Sequence, residues 1–311
     1  MNLPKLIVIL GPTASGKSDL AYRLCKKFYG YIISADSRQF YKELDIATAK
    51  WTKDDVLSRK NGVLSINGIA HYLIDFLEPT AHFSAPEFKR EVKKIIHTAD
   101  GAPFMVGGTG LYISSVVDNF LFPKGAPNAR LRTELEREDY ETLVKKLKKL
   151  DRKSAEILGP KKNKRRVVRA LEVCMVSGKP FSEQQKKGKP LYDILQIGLR
   201  WEKQALYARI NRRQDQQIAQ GLIREIAALQ ARYPNSPEAF SAIGCKEFLP
   251  YLLGKESMEK AREKHKQNNR NYALKQMRWF KRDPRIHWYD GPLDGAAYKD
   301  IEKRIQTFLE I

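Results

Sequence analysis

Through the first third of the chain, short apolar runs alternate with stretches of helical periodicity. Residues 5–10 read KLIVIL, a β-branched run that predicts a buried strand. Leu20, Ala21, Leu24, Cys25 and Phe28 then recur at helical spacing. Residues 31–35 predict a second strand, with Asp36 at its carboxyl end. Residues 45–50 are polar and turn-like, and residues 51–67 read as a surface excursion. Residues 70–76 predict a further strand in which Asp75 is a candidate Walker-B-type carboxylate. Ser84, with Glu87 three residues on, makes a capping box for a helix whose apolar face is Phe88, Val92, Ile95 and Ile96. Residues 103–106 predict a strand that runs straight into GGTGLY.

Strand and helix alternating in this way predict an α/β fold, a parallel sheet flanked by helices. The Pro/Gly-rich residues 122–127 mark a boundary, after which the strand signals stop. Residues 124–193 therefore read as a mostly helical insertion, with Leu131, Leu135, Leu143, Leu147 and Leu150 on amphipathic faces. In that segment Arg165, Arg166 and Arg169 fall near one helical face, while Val168, Leu171 and Val173 seek a core. Residues 194–199 predict a strand returning to the sheet, so 1–123 and 194–311 form the core. A helix follows with Arg209, Arg212 and Arg213 as candidate phosphate ligands.

The first strand–helix junction carries chemistry. Residues 11–18 read GPTASGKS, the G-x-x-x-x-G-K-[ST] pattern in the context it requires. Gly11 and Gly16 allow the N–H groups of Pro12-Thr13-Ala14-Ser15 and the residues beyond (Pro12 excepted) to turn inward, and the following helix adds its positive end. The loop is a socket for two linked phosphates, with the Lys17 ammonium on their oxygens and the Ser18 hydroxyl on Mg²⁺. Asp36 lies on the same rim, where a carboxylate serves as a general base, a Mg²⁺ ligand or a helix cap. The Thr109 hydroxyl, in the GGTG turn, also aims at this rim.

Charge widens the picture. The formal net charge is +21, and it is unevenly spread. Residues 1–123 carry 15 Lys/Arg against 12 Asp/Glu, residues 124–193 carry 20 against 10, and the remainder 22 against 14. A small anionic metabolite needs two or three cations, so this surplus predicts a polyanionic partner. Residues 258–285 hold 10 Lys/Arg against 3 Asp/Glu, interleaved with Tyr272, Trp279 and Phe280, aromatics suited to stacking on bases or covering the core. The 3 cysteines and 5 histidines are scattered without metal spacing, which predicts free thiols in a reducing cytoplasm. No run is long enough for a membrane helix, and a monomer without membrane contact is expected.

GPTASGKS, ISADSRQFY (residues 33–41), DIATAK (45–50) and GGTGLY (107–112) together resemble the tRNA dimethylallyltransferase family. RRVVRALEV (165–173), AIGCKE (242–247) and RNYALKQMRWF (270–280) continue the likeness in order across nearly the whole chain. Ala47, Trp51, Cys245, Leu274 and Arg278 stand where the family usually has Gly, Pro, Tyr, Lys and Thr. The resemblance implies a P-loop kinase-like core with a helical insertion that grips the tRNA anticodon stem-loop. It implies transfer of a dimethylallyl group from dimethylallyl diphosphate to the exocyclic amine of the adenine 3′ of the anticodon. Asp36 then becomes the general base, Thr109 a hydrogen-bond partner of the diphosphate near the breaking bond, and Arg213 a further cation on it. Asp36, Ser37, Arg38, Gln39, Thr109, Arg130 and Arg165-Arg166-Val167-Val168-Arg169 would contact tRNA. So would Ala242-Ile243-Gly244-Cys245-Lys246, together with Lys275, Gln276, Arg278, Trp279 and Lys281 of the last motif. The main rival is a P-loop nucleotide or nucleoside kinase with a basic lid, which requires phosphoryl transfer from ATP. A free adenylate isopentenyltransferase needs no extended basic surface, and an RNA-binding adaptor needs no general base.

Overall fold

The computed structural model describes residues 3–51, 54–60, 62–123, 128–184, 186–234, 236 and 240–310. The predicted boundary at 122–127 falls largely on residues 124–127, outside the described residues. The chain divides into two compact units, Met1–Val117 with Leu191–Ile311, and Asp118–Pro190.

The larger unit begins with β1 (Lys5–Leu10), α1 (Lys17–Lys27) and β2 (Gly30–Ser34). A one-turn helix α2 (Asp45–Thr48) follows, where the sequence suggests only a turn. Residues 57–66, read as an excursion, instead form a hairpin of β3 (Leu57–Lys60) and β4 (Val63–Ile66) that joins the sheet through β5 (Ile69–Tyr72). That strand is four residues, shorter than predicted, because Leu73 and Asp75 take positive φ and turn the chain away. The next elements are α3 (Ala85–Thr98), β6 (Ala102–Gly107) and α4 (Gly110–Val117). Ser84 and Glu87 close the predicted capping box on α3.

In the smaller unit, β7 (Phe120–Leu121) pairs with β8 (Lys186–Lys187), which closes the ends of a helical segment. Between them lie α5 (Ala129–Arg137), α6 (Tyr140–Leu150), α7 (Arg152–Leu158), α8 (Lys164–Ser177) and α9 (Phe181–Gln184). Leu135, Leu143, Leu147, Val167, Val168 and Leu171 form the centre of its core. Glu172, 1% exposed, is held there by Arg132 (3.0 Å), Arg169 (2.8 Å) and the Asn128 N–H (3.0 Å).

The chain re-enters the sheet as β9 (Asp193–Arg200) and continues through α10 (Lys203–Gln220), α11 (Leu222–Arg232), α12 (Cys245–Leu252), α13 (Met258–Phe280), β10 (Ile286–Asp290) and α14 (Gly295–Leu309). The strand order is β10-β9-β1-β6-β2-β5-β4-β3, parallel except for the terminal hairpin. Placing β1 between β6 and β9 makes its near-continuous apolar run necessary, since both faces are covered. Ile7, Ile9, Leu24, Phe104 and Ile197 meet in the core on one side of the sheet. This topology brings the ends of β1, β2 and β6 to a common rim, where open α/β sheets bind their ligands.

Candidate active site

The loop at residues 11–18 turns from β1 into α1. Gly16 caps α1 at φ 93°, a left-handed conformation that a side chain would strain. The first N–H groups of α1 have no intrahelical acceptor and lie at the positive end of the helix. Lys17 Nζ donates to the Pro12 carbonyl at 2.6 Å and reaches Ser15 Oγ at 3.4 Å. Burial pulls its pKa down to about 8, against the opposing pull of Asp36 and with a smaller push from Arg213. Ser18 is exposed in the first turn. Outside braces hold the loop: Trp201 Nε1 donates to the Ser15 carbonyl at 3.0 Å, and Arg209 Nε to the Ala14 carbonyl at 2.8 Å. Arg209 is thereby tied to the loop's outer backbone.

Beyond β2, Asp36 Oδ1 accepts the Arg38 N–H at 3.0 Å, a local turn that leaves its other oxygen available. Phe40, fully buried against Phe88 and Tyr112, anchors the segment that carries Asp36. Thr109 Oγ1 accepts the Ser37 N–H at 3.0 Å and donates to Ser37 Oγ at 3.3 Å, so the β2 and β6 loops meet at these two residues. Arg38 reaches Ser241 Oγ ahead of α12. Arg213 stands half-buried on α10, where desolvation lowers its pKa while Asp36 and Asp19 favour its charge. Two cations and one carboxylate thus lie close enough to act on one another's charge.

These loops open onto a cavity of about 450 Å³. Thr13, Ala14, Asp36, Ser37, Arg38 and Thr109 line it from the sheet rim. Arg213 lines it from α10, Lys275 from α13, and Ala242, Ile243 and Lys246 from the start of α12. Burial next to Asp36 pushes the Tyr272 phenol up, so it stays protonated beside Thr109. Sequence reasoning offers Tyr272 as a base-stacking or core aromatic, whereas it is a wall of the cavity. Gln214, Gln217 and Asn268 are further lining residues that no motif marks. Only helical spacing from Arg213 to Gln217, and from Asn268 to Tyr272, points to them.

Several predicted contacts need correction. Val167 and Val168 are buried in the core of the smaller unit, so their side chains cannot reach RNA. Arg130, Arg165 and Arg166 are exposed on that unit, and Arg169 is spent partly on Glu172. Cys245 is fully buried and Ala242 2% exposed, with Gly244 N–H donating to Glu247 at 2.6 Å. Gln39 is turned inward to Ser34 Oγ and the Thr48 and Ala49 carbonyls. Gln276 is buried between two loops, and Trp279 donates from Nε1 to Ser114 Oγ at 3.0 Å. Arg278 and Lys281 are exposed on the last turn of α13 and just after it. Asp75 pairs with Lys50 at 2.6 Å and Arg59 at 2.9 Å instead of facing the cavity, which excludes a Walker-B role. Contiguous motifs mix RNA-accessible positions with the residues that hold them in place.

Comparison with known proteins adds to this geometry. A family described as IPP transferase matches residues 39–283. A tRNA dimethylallyltransferase from Anoxybacillus flavithermus is 40% identical over 310 residues, covering 98% of this chain and 95% of its own. One from Bacillus anthracis is 38% identical over 320 residues, covering 100% and 98%. Among solved structures, the tRNA isopentenylpyrophosphate transferase of Bacillus halodurans superposes with a TM-score of 0.71 at 36% identity, covering 98% of this chain and 97% of that one. A eukaryotic dimethylallyltransferase acting on tRNA gives a TM-score of 0.83 at 28% identity, covering 99% and 80%.

Proposed function

The chain belongs to the tRNA dimethylallyltransferase family, and on that premise we propose how its residues divide the reaction. It is a prenyltransferase that moves a dimethylallyl group from dimethylallyl diphosphate to tRNA, onto the exocyclic amine of the adenine 3′ of the anticodon. The observation that carries this reading is that the edge of the phosphate loop (Thr13, Ala14), Asp36, Thr109 and Arg213 line one cavity, with Lys17 electrostatically coupled to Asp36 and Arg213 behind it.

An allylic carbon–oxygen bond breaks readily once the departing diphosphate is neutralised. The N–H groups at the start of α1, Lys17 and Arg213 supply that neutralisation. Thr109 turns its hydroxyl from Ser37, a 3.3 Å bond easily given up, to the diphosphate near the breaking bond. Asp36 accepts a proton from the amine as the new carbon–nitrogen bond forms, because the adenine lone pair is delocalised and the amine alone is a weak nucleophile. The base reaches it only after leaving its stack.

Among the described residues no cluster of His, Cys, Asp or Glu could hold a metal ion, and Ser18 is exposed at the loop. That donor set fits Mg²⁺ bound mainly through phosphate oxygens and water, with Ser18 as its protein ligand. The ion would add charge neutralisation to the leaving group. The exposed arginines of the smaller unit, Arg130, Arg165 and Arg166, take the phosphates of the anticodon stem-loop. In the larger unit Arg38, Lys246, Lys275, Arg278 and Lys281 take further phosphates. Among the described residues no helix is long and apolar enough to cross a membrane. We place the reaction in the cytoplasm, where tRNA is the substrate, and assign it to a single chain.

The test is incubation with dimethylallyl diphosphate, Mg²⁺ and an anticodon stem-loop RNA, with ATP and a nucleoside in a parallel reaction. Prenylated RNA with released pyrophosphate is the expected product. Phosphoryl transfer from ATP, with no prenylated RNA, would replace this reading with the kinase.

A further inference from the structure

Gln276 falls in a motif assigned to RNA, yet its side chain is wholly engaged inside the protein. Its Oε1 accepts the Thr13 N–H at 2.8 Å, and its Nε2 donates to the Gly108 carbonyl at 3.0 Å. It is 5% exposed. We propose that Gln276 is a positioning residue for the diphosphate half of the reaction. It ties the loop at residues 11–18 to the loop at residues 107–110, and so fixes how Lys17 and Thr109 stand around the leaving group. The inference rests on the prenyl-transfer reading above.

The residue type follows from the chemistry. One loop presents a donor and the other an acceptor, and a planar amide satisfies both at once. A carboxylate cannot donate to Gly108, and an aliphatic chain answers neither loop. The bond pattern also fixes which end of the amide is oxygen. Thr13 N–H, committed to Gln276, takes no part in anion binding. That leaves the N–H groups at the head of α1 to face the diphosphate while Gln276 holds the strand-side half of the loop still.

Packing leaves no slack at the junction. A Cβ on Gly108 would fall 2.0 Å from Gln276 Nε2, so only glycine lets the two meet. The helix that carries Gln276 is itself pinned. Ala273 and Phe280 are buried, and Trp279 bonds Ser114 on the helix that follows the GGTG loop. One turn before Gln276, Tyr272 stands in the cavity wall beside Thr109. α13 therefore acts as a splint across both loops, and Gln276 is its point of attachment.

The experiment uses the full chain with Gln276→Leu, Gln276→Glu and Gly108→Ala. Isothermal calorimetry with inorganic pyrophosphate and Mg²⁺ gives the anion Kd, and filter binding gives the Kd of an anticodon stem-loop RNA. Steady-state kinetics give KM for dimethylallyl diphosphate, and melting curves establish folding. Gln276→Leu should raise the pyrophosphate Kd and the prenyl-diphosphate KM about tenfold while the RNA Kd stays within about twofold. Gly108→Ala should reproduce that pattern by displacing the amide, and Gln276→Glu, which keeps the Thr13 acceptor but sets a carboxylate against the Gly108 carbonyl and near the diphosphate, should raise both constants at least as far. The latter two carry the test if Gln276→Leu does not fold. A raised RNA Kd with unchanged pyrophosphate binding would make Gln276 an RNA contact and overturn the inference, as would no change in any variant. Failure of the underlying reaction would show separately, as wild-type protein that binds pyrophosphate but leaves dimethylallyl diphosphate unconverted.

Discussion

Raising the pH through the titration of Lys17 should loosen the donor substrate in a calculable way. In the empty protein burial holds this lysine at about 8. A diphosphate beside it favours the ammonium, so binding must take up a proton wherever the free lysine is neutral. Below about pH 7 the ammonium is already about nine-tenths formed, and affinity is insensitive to this group. Above 8, affinity for dimethylallyl diphosphate should fall about tenfold per pH unit, with close to 0.9 proton taken up at about pH 9. Folding has the opposite sign. An unfolded lysine titrates near 10.5, so between about 8 and 10.5 the unfolded chain holds more protons and the empty protein gains stability as pH rises. Asp36→Asn removes the influence that supports the ammonium, and the loss of affinity should begin at lower pH. Calorimetry in buffers of different ionisation enthalpy measures both the Kd and the proton count. Dimethylallyl diphosphate is the right ligand, since inorganic pyrophosphate loses a proton of its own in this window. A Kd that stays flat from about pH 7 to 9.5, or protons released instead of absorbed, would refute the assignment of Lys17 to the leaving group.

Three further outcomes follow from the same geometry. Asp36→Asn keeps an acceptor for the Arg38 N–H, so the loop survives; kcat should fall about 10²–10⁴-fold with RNA affinity within a few-fold, and a loss under tenfold would remove Asp36 from proton transfer. Replacing Arg165 and Arg166 by glutamine should weaken RNA binding and reduce the salt slope of log Kd by roughly 1.5, whereas an effect confined to the prenyl-diphosphate KM would contradict their role. Glu172→Ala strips the acceptor from the Asn128 N–H and from two arginines that are each 41% exposed, and should destabilise the smaller unit by about 1–3 kcal/mol in urea melts. Burial alone would raise the Glu172 pKa, but Arg169, Arg132 and the Asn128 N–H hold it below 4.5; its stabilisation is present above that value and is lost as pH falls through the depressed one.

The central strands are legible because both their faces are covered: KLIVIL and the run before Asp36 are near-continuously apolar, and so are residues 194–199 apart from Gln196, which bonds Asp283. The hairpin β3–β4 is not, since LSRK is exposed along its length and VLSI offers two buried positions in four. Such strands are held by pairing to a neighbour, and that information lies elsewhere in the chain. At the site, the phosphate loop, Asp36 and Thr109 could be read because a strand end and a turn chemistry fix them locally. Gln214, Gln217 and Asn268 could not, because helical side chains reach the cavity only through the packing of α10 and α13. Val167, Val168, Cys245 and Gln276 lie inside the motifs yet face the interior, since a helix turns successive residues to different faces.

What the target adenosine carries after reaction tests prenyl transfer most directly. An anticodon stem-loop RNA is incubated with the protein, Mg²⁺ and dimethylallyl diphosphate, digested to nucleosides and analysed by mass spectrometry beside the Asp36→Asn variant. The adenosine 3′ of the anticodon should bear one dimethylallyl group on its exocyclic nitrogen with wild-type protein and almost none with the variant. Unmodified adenosine with wild-type protein would contradict prenyl transfer, and equal modification by both proteins would contradict the role of Asp36.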